Sequence, residues 1–205
     1  MKVKICGITN KEDALNAVAL NISALGFIFY ENSARYISPE KVEEIMLDIP
    51  PFINKVGVFV NSEYDEIVDI AKRCKLSTIQ LHGNETPDFC MKFSRSVIKA
   101  ISVREQEDIK KIPMYKGIVS GVLLDTKVEN VYGGSGKTFD WGLAIEAKNY
   151  DTPLILSGGI NVGNVEKAIK MVNPYAIDLS TGVEKEPGIK DYNKMQELIQ
   201  KLDSI

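Results

Sequence analysis

The sequence has one histidine and three cysteines in 205 residues. Cys6, Cys74 and Cys90 form no CxxC pair and cannot all be bridged. That excludes a disulfide framework and a structural zinc site, and it fits a reducing compartment. No basic block is present, and the net charge is −3. A nucleic-acid footprint is therefore not expected. Long apolar runs are missing too. The longest uncharged span, residues 14–30, is broken by Asn16, Asn21 and Ser23 and falls short of a membrane helix. Lys2 and Lys4 interrupt any apolar leader. The expectation is a cytoplasmic protein with neither a nucleic-acid nor a membrane partner.

What is present is ordinary for a globular chain: 26% charged and 44% hydrophobic residues. A chain of this length buries roughly 70% of its unfolded surface. Apolar runs alternate with helical patterns from end to end. Val3-Lys4-Ile5-Cys6 reads as a first strand, and Asn10 caps a helix with Glu12 and Asp13 in its first turn. Further strands are expected at 24–30, 55–60, 78–81, 97–101, 119–124, 153–156 and 175–179. Helices are expected from Ser38-Pro39, Ser62, Thr86-Pro87, Glu105, Asp140, Asn164 and Asp191. The helix from Glu105 is expected to reach Ile112, and the one from Ser62 to carry Ile67, Ile70, Ala71 and Cys74 on one face. Eight strand–helix units with no linker predict an α/β fold, a single (β/α)8 TIM barrel over residues 1–205. An open doubly wound sheet is the alternative that periodicity leaves standing.

Residues 121–141 carry the most information. Val122-Leu123-Leu124 stops on Asp125, and a loop with Gly133, Gly134 and Gly136 follows before a helix near Trp141. Long loops in compact domains are usually functional or disordered. Gly136-Lys137-Thr138 has the end of a phosphate-binding P-loop, but Val131 stands where its first glycine must be. Phe139 likewise breaks a dinucleotide G-x-G-x-x-G. ATP, GTP and NAD are rejected for this segment.

In a barrel the residues after each strand face one rim, where ligands bind. Cys6, Arg35, His82, Asp125, Gly158-Gly159 and Ser180-Thr181-Gly182 fall there. The last two loops are small and glycine-rich, and a short helix after strand eight would add its positive end, so phosphate binding is expected. Cys6 is either a small core residue or a rim thiol that loses its proton easily beside a phosphate and Arg35. Lys4 shares the inward face with Cys6 and is tolerable only near the opposite rim. His82 is either a general acid–base group or, as a lone histidine after a strand more often is, a structural hydrogen-bond partner, and it ranks below Cys6 and Asp125. Arg35 is either a carboxylate fork or a solvated loop charge.

With these residues placed, the chain resembles the phosphoribosylanthranilate isomerase family of tryptophan biosynthesis. The likeness runs through KICGIT, GFIFYENSARYISP, VGVFVN, QLHGNE, LLDTK with GGSGKTFDW, LSGGI, and DLSTGVE with PGIKD. The resemblance implies a (β/α)8 barrel and an Amadori rearrangement by an intramolecular oxidoreductase of the aldose–ketose type. N-(5-phosphoribosyl)anthranilate becomes 1-(2-carboxyphenylamino)-1-deoxyribulose 5-phosphate. It implies Cys6 as general base and Asp125 as general acid. It implies Arg35 on the anthranilate carboxylate, and Gly158, Gly159, Ser180, Thr181 and Gly182 on phosphate. Thr181 departs from an expected second serine, a change that a backbone N–H contact survives. No metal and no cofactor are implied. The partner is a phosphorylated small molecule, and a monomer is favoured over a homodimer. A histidine-pathway isomerase pairs two aspartates, whereas Cys6 stands at the first position here. Indole-glycerol-phosphate synthase would carry Lys and Glu at strand ends. A non-catalytic sugar-phosphate barrel would not need both Cys6 and Asp125.

Overall fold

The computed structural model describes residues 1–126 and 138–204. The glycine-rich stretch with Gly133, Gly134 and Gly136 lies outside the described residues. Eight parallel strands close into a barrel: β1 (Lys2–Cys6), β2 (Ala24–Ile28), β3 (Asn54–Phe59), β4 (Thr78–Leu81), β5 (Ser96–Val103), β6 (Gly121–Thr126), β7 (Leu154–Leu156) and β8 (Ala176–Leu179). Closure comes from β8 pairing β1, with Val3 opposite Ile177 and Ile5 opposite Leu179. This rules out the open sheet. The helices are α1 (Lys11–Ala19), α2 (Pro39–Met46), α3 (Tyr64–Arg73), α4 (Pro87–Cys90), α5 (Gln106–Ile109), α6 (Trp141–Ala147), α7 (Val165–Val172) and α8 (Tyr192–Asp203). A two-stranded hairpin, β9 (Glu184–Glu186) and β10 (Ile189–Lys190), lies between β8 and α8.

Local chemistry sets the boundaries. Asn10, Thr86, Asp140 and Asp191 each accept a backbone N–H in the first turn of α1, α4, α6 and α8. Ser38 makes no such bond, although Pro39 opens α2 as expected. Helix α3 starts at Tyr64, later than Ser62, and buries Ile67, Ile70, Ala71 and Cys74. Helix α5 ends at Ile109, short of the expected Ile112, and a 3-10 turn at Ile112–Tyr115 follows. Pro113 has no N–H to continue an α-helical ladder. Strand β6 runs two residues beyond the expected end, because β5 extends to Val103 and offers Ser102 as partner to Asp125.

The core has two parts. A large apolar layer fills the space between the sheet and the helices, with Ile5, Leu25, Phe27, Phe59 and Leu81 fully buried. A small cluster of Ile98, Ala100, Leu123, Ile155 and Ala176 stands apart from it, as inward-facing residues of neighbouring strands do. Among the described residues no helix is long and apolar enough to cross a membrane.

Candidate active site

Several of the inward positions nearer the strand ends are polar. Lys4 on β1 and Asp178 on β8 are register partners, and their side chains meet at 3.0 Å. Lys4 Nζ also donates to Gln80 Oε1 at 3.0 Å. Lys4 is therefore not a rim residue as expected. It is buried, and it is tolerated because both partners satisfy it. Burial opposes its charge, but Asp178 and Cys6 hold its ammonium above the usual lysine range.

An ammonium only donates, so the Gln80 oxygen must face Lys4 and its NH2 must face the next residue. That residue is His82, with Nδ1 3.0 Å from Gln80 Nε2. Nδ1 is thus the acceptor and Nε2 carries the proton. Nε2 lies 3.4 Å from Asp125 Oδ2, at an angle that makes no hydrogen bond. Asp125 Oδ1 accepts the Thr126 N–H at 2.8 Å. His82 pairs with Gln80 through Nδ1, and it lines the same cavity as Cys6, Arg35 and Asp125.

Cys6 sits opposite Gly26 of β2. A Cβ on Gly26 would lie 2.7 Å from Cys6 Sγ and 2.9 Å from Lys4 Cε, so this glycine makes room for both side chains. The expected low thiol pKa is corrected here. Burial pushes the Cys6 thiol up, and the pull of Lys4 and Lys190 in the other direction does not outweigh it. The cations that act on the thiol include Lys4 and Lys190.

Arg35 is not a solvated loop charge. Its side chain is 12% exposed. Its Nε donates to both Glu184 oxygens, at 2.9 and 3.2 Å, and its Nη2 to Oε2 at 2.7 Å. Glu184 Oε1 also accepts from Lys190 Nζ at 2.7 Å, and that ammonium donates to the Cys6 carbonyl at 2.6 Å. Burial works against the Glu184 charge, yet Arg35 and Lys190 hold its carboxyl below the usual carboxylate range.

The two glycine loops pack against each other. Gly158 and Gly159 have φ of +84° and +65°, which side-chain-bearing residues rarely adopt. Asn161 and Asn164 both donate to the Gly159 carbonyl, at 3.1 and 3.0 Å. A Cβ on Gly182 would stand 1.9 Å from the Ile160 carbonyl oxygen. The expected helix after β8 is only a 3-10 turn, Thr181–Val183, too short to add much of a dipole. Among the described residues Ser180 Oγ is buried with no hydrogen-bond partner, and Ser180 lines the cavity together with Ser157. A buried hydroxyl without a partner marks a place for a polar ligand atom.

Gln80, Asp178, Glu184 and Lys190 were not singled out from the sequence. Strand alternation flags Asp178, two residues before Ser180, as it flags Lys4 two before Cys6. Glu184 and Lys190 lie within DLSTGVE and PGIKD, but no periodicity marks them.

With this geometry in place, comparison with known proteins is specific. The family model described as N-(5'phosphoribosyl)anthranilate (PRA) isomerase matches residues 3–201. The N-(5'-phosphoribosyl)anthranilate isomerase of Thermotoga neapolitana is 49% identical over 203 residues, 98% of either chain. A phosphoribosyl anthranilate isomerase solved with reduced 1-(o-carboxyphenylamino)-1-deoxyribulose 5-phosphate superposes with a TM-score of 0.90 at 41% identity, covering 100% of both chains. A structure of monomers generated from the dimeric isomerase of Thermotoga maritima superposes with a TM-score of 0.90 at 40% identity, again over 100% of both chains.

Proposed function

The chain belongs to the N-(5'-phosphoribosyl)anthranilate isomerase family, and from that premise we propose that Cys6 and Asp125 carry the two proton transfers of its reaction. It is an isomerase of tryptophan biosynthesis that turns N-(5-phosphoribosyl)anthranilate into 1-(2-carboxyphenylamino)-1-deoxyribulose 5-phosphate. The observation that supports the assignment is the shared cavity, whose wall includes Cys6, Asp125, Arg35 and Ser180.

The chemistry follows from the groups. Asp125, as the acid, protonates the ring oxygen while the anilinic nitrogen lone pair opens the furanose to an iminium ion. The iminium acidifies the hydrogen on C2, and the Cys6 thiolate takes it. The enolamine so formed gains a proton at C1 and loses one from the C2 hydroxyl, giving the ketone. Atoms and electrons balance within the substrate. Arg35 holds the anthranilate carboxylate at one end of the cavity. Gly158, Gly159, Ser180, Thr181 and Gly182 hold the phosphate at the other. Anchoring both ends fixes C2 against the base, which lowers the barrier by positioning.

A phosphorylated substrate and three buried free thiols support a cytoplasmic site of action. We place the whole chain in one barrel domain and expect a monomer. Sedimentation equilibrium tests the latter against the dimer known for a relative. The activity test is a fluorescence assay with freshly made phosphoribosylanthranilate, run beside the histidine-pathway substrate. Turnover of the first and none of the second is expected. Cys6→Ser and Asp125→Asn should each lose orders of magnitude in kcat with unchanged circular dichroism.

A further inference from the structure

Arg35 lies in the loop after β2, and its side chain is held on one edge. Glu184 occupies its Nε–Nη2 edge with three hydrogen bonds. Glu184 does not line the cavity, whereas Arg35 does. Among the described residues no hydrogen bond reaches Arg35 Nη1, so one edge of the planar fork is held from behind and the other is left for a ligand. The stem is seated as well. Gly7 has φ of +76°, and a Cβ there would stand 2.6 Å from Arg35 Cδ.

The back support is the β9–β10 hairpin. Glu184 and Lys190 are cross-strand partners at its open end. Lys190 is 3% exposed and joins the Glu184 carboxylate to the carbonyl of Cys6. Asp13 fixes the same strand by accepting the Lys190 N–H at 2.8 Å, and the Gly188 N–H donates to Glu184 Oε1. The hairpin thus ties the position of the Arg35 fork to the backbone of the proposed base. A swing of the guanidinium would have to break a buried, doubly charged contact.

We propose that Glu184 and Lys190 are positioning residues that set recognition of the substrate carboxylate by aiming Arg35. This rests on the reading of Arg35 as the carboxylate fork. Neither residue touches the substrate. Their effect belongs in KM for substrates that carry the ortho-carboxylate and is absent from substrates that lack it.

The experiment compares phosphoribosylanthranilate with the carboxylate-free phosphoribosyl-aniline on wild type, Arg35→Met, Glu184→Gln and the double variant Glu184→Gln/Lys190→Met. The double variant removes both buried charges, so it remains informative where Glu184→Gln alone folds poorly from two unpaired cations. Expected is a rise in KM of roughly tenfold or more for phosphoribosylanthranilate, kcat within about threefold, and less than about twofold change in KM for the aniline compound. An equal rise for both substrates, or no rise for either, in the folded double variant overturns the proposal. If Arg35→Met shifts the ratio of the two KM values and the Glu184 variants do not, the proposal falls and the Arg35 reading stands. If Arg35→Met leaves that ratio unchanged, the Arg35 reading falls and takes the proposal with it.

Discussion

Lys4 and Asp178 are neighbours across the seam that closes the barrel, and their buried side chains meet at 3.0 Å. The pair does two things at once. It satisfies charges that burial would otherwise penalise, and it places a cation beside Cys6. Lys4→Met would leave Asp178 buried without its cation, a change that costs about 3–5 kcal/mol in such settings. Replacing both, Lys4→Met with Asp178→Leu, should recover most of that stability in urea denaturation. It should not recover activity, because the cation that opposes desolvation of Cys6 is gone. Wild-type kcat/KM in the double variant would make the pair structural only.

The raised Cys6 thiol has a direct consequence for pH dependence. The proposed base must be a thiolate, and burial keeps the Cys6 thiol protonated beyond the ordinary thiol range. The proposed reaction needs a Cys6 thiolate and a protonated Asp125 in the same enzyme form, so kcat/KM follows the fraction in that form, and its alkaline break should lie above about 8.5, the usual cysteine value. Lys4 pulls the thiol down, so its removal should shrink that fraction, lower kcat/KM and move the break to still higher pH. The check is kcat/KM against pH for wild type and Lys4→Met. Because kcat/KM reports the free enzyme, an alkaline break below about 8.5 would show that the free thiol is not raised.

How much of this was legible in the sequence depends on the range of the interaction concerned. Caps such as Asn10 and Asp140, and the turns between units, act over three or four residues, so eight units could be counted directly. Cys6 and Asp125 were legible because each ends a short apolar run. Closure was not, since it rests on β1 meeting β8 and periodicity says nothing about that pairing. The Lys4–Asp178 and Arg35–Glu184 contacts span 174 and 149 residues. A lysine at an inward position looked misplaced until its partners were seen. The thiol was misjudged for a related reason. Sequence counts nearby charges, whereas desolvation depends on how deeply the strand end is packed.

Ser180 offers a test in which stability and function part company. Its buried hydroxyl has no hydrogen-bond partner among the described residues, and an unsatisfied buried polar group is destabilising by about 1–3 kcal/mol. Ser180→Ala should therefore melt at the same temperature as wild type or higher. Inorganic phosphate should raise the melting temperature of wild type by binding the native state. That protection should weaken in the alanine variant. Gly182→Ala should lose both, because its Cβ would collide with the Ile160 carbonyl oxygen. If phosphate protects Ser180→Ala and wild type equally, the hydroxyl is not part of the phosphate site.

The proposed acid, Asp125, and the proposed base, Cys6, can be separated by isotope. Cys6 ends β1 and Asp125 lies near the end of β6, so they approach the cavity from different sides of the barrel. Both transfers lie on one path, ring opening first and loss of the C2 hydrogen second. With substrate deuterated at C2 of the ribose, a primary isotope effect on kcat is expected where hydrogen abstraction limits the rate. Weakening the base with Cys6→Ser makes abstraction slower still, so the effect should persist or grow. Weakening the acid with Asp125→Asn makes ring opening limiting, so the effect should shrink toward unity. His82→Asn adds a third arm. It removes the Nε2–H that faces Asp125 at 3.4 Å while keeping a polar side chain. If His82 assists the acid, kcat should fall and the isotope effect should fall with it, in the pattern of Asp125→Asn. Were the effect to vanish in Cys6→Ser and persist in Asp125→Asn, the two roles would have to be exchanged.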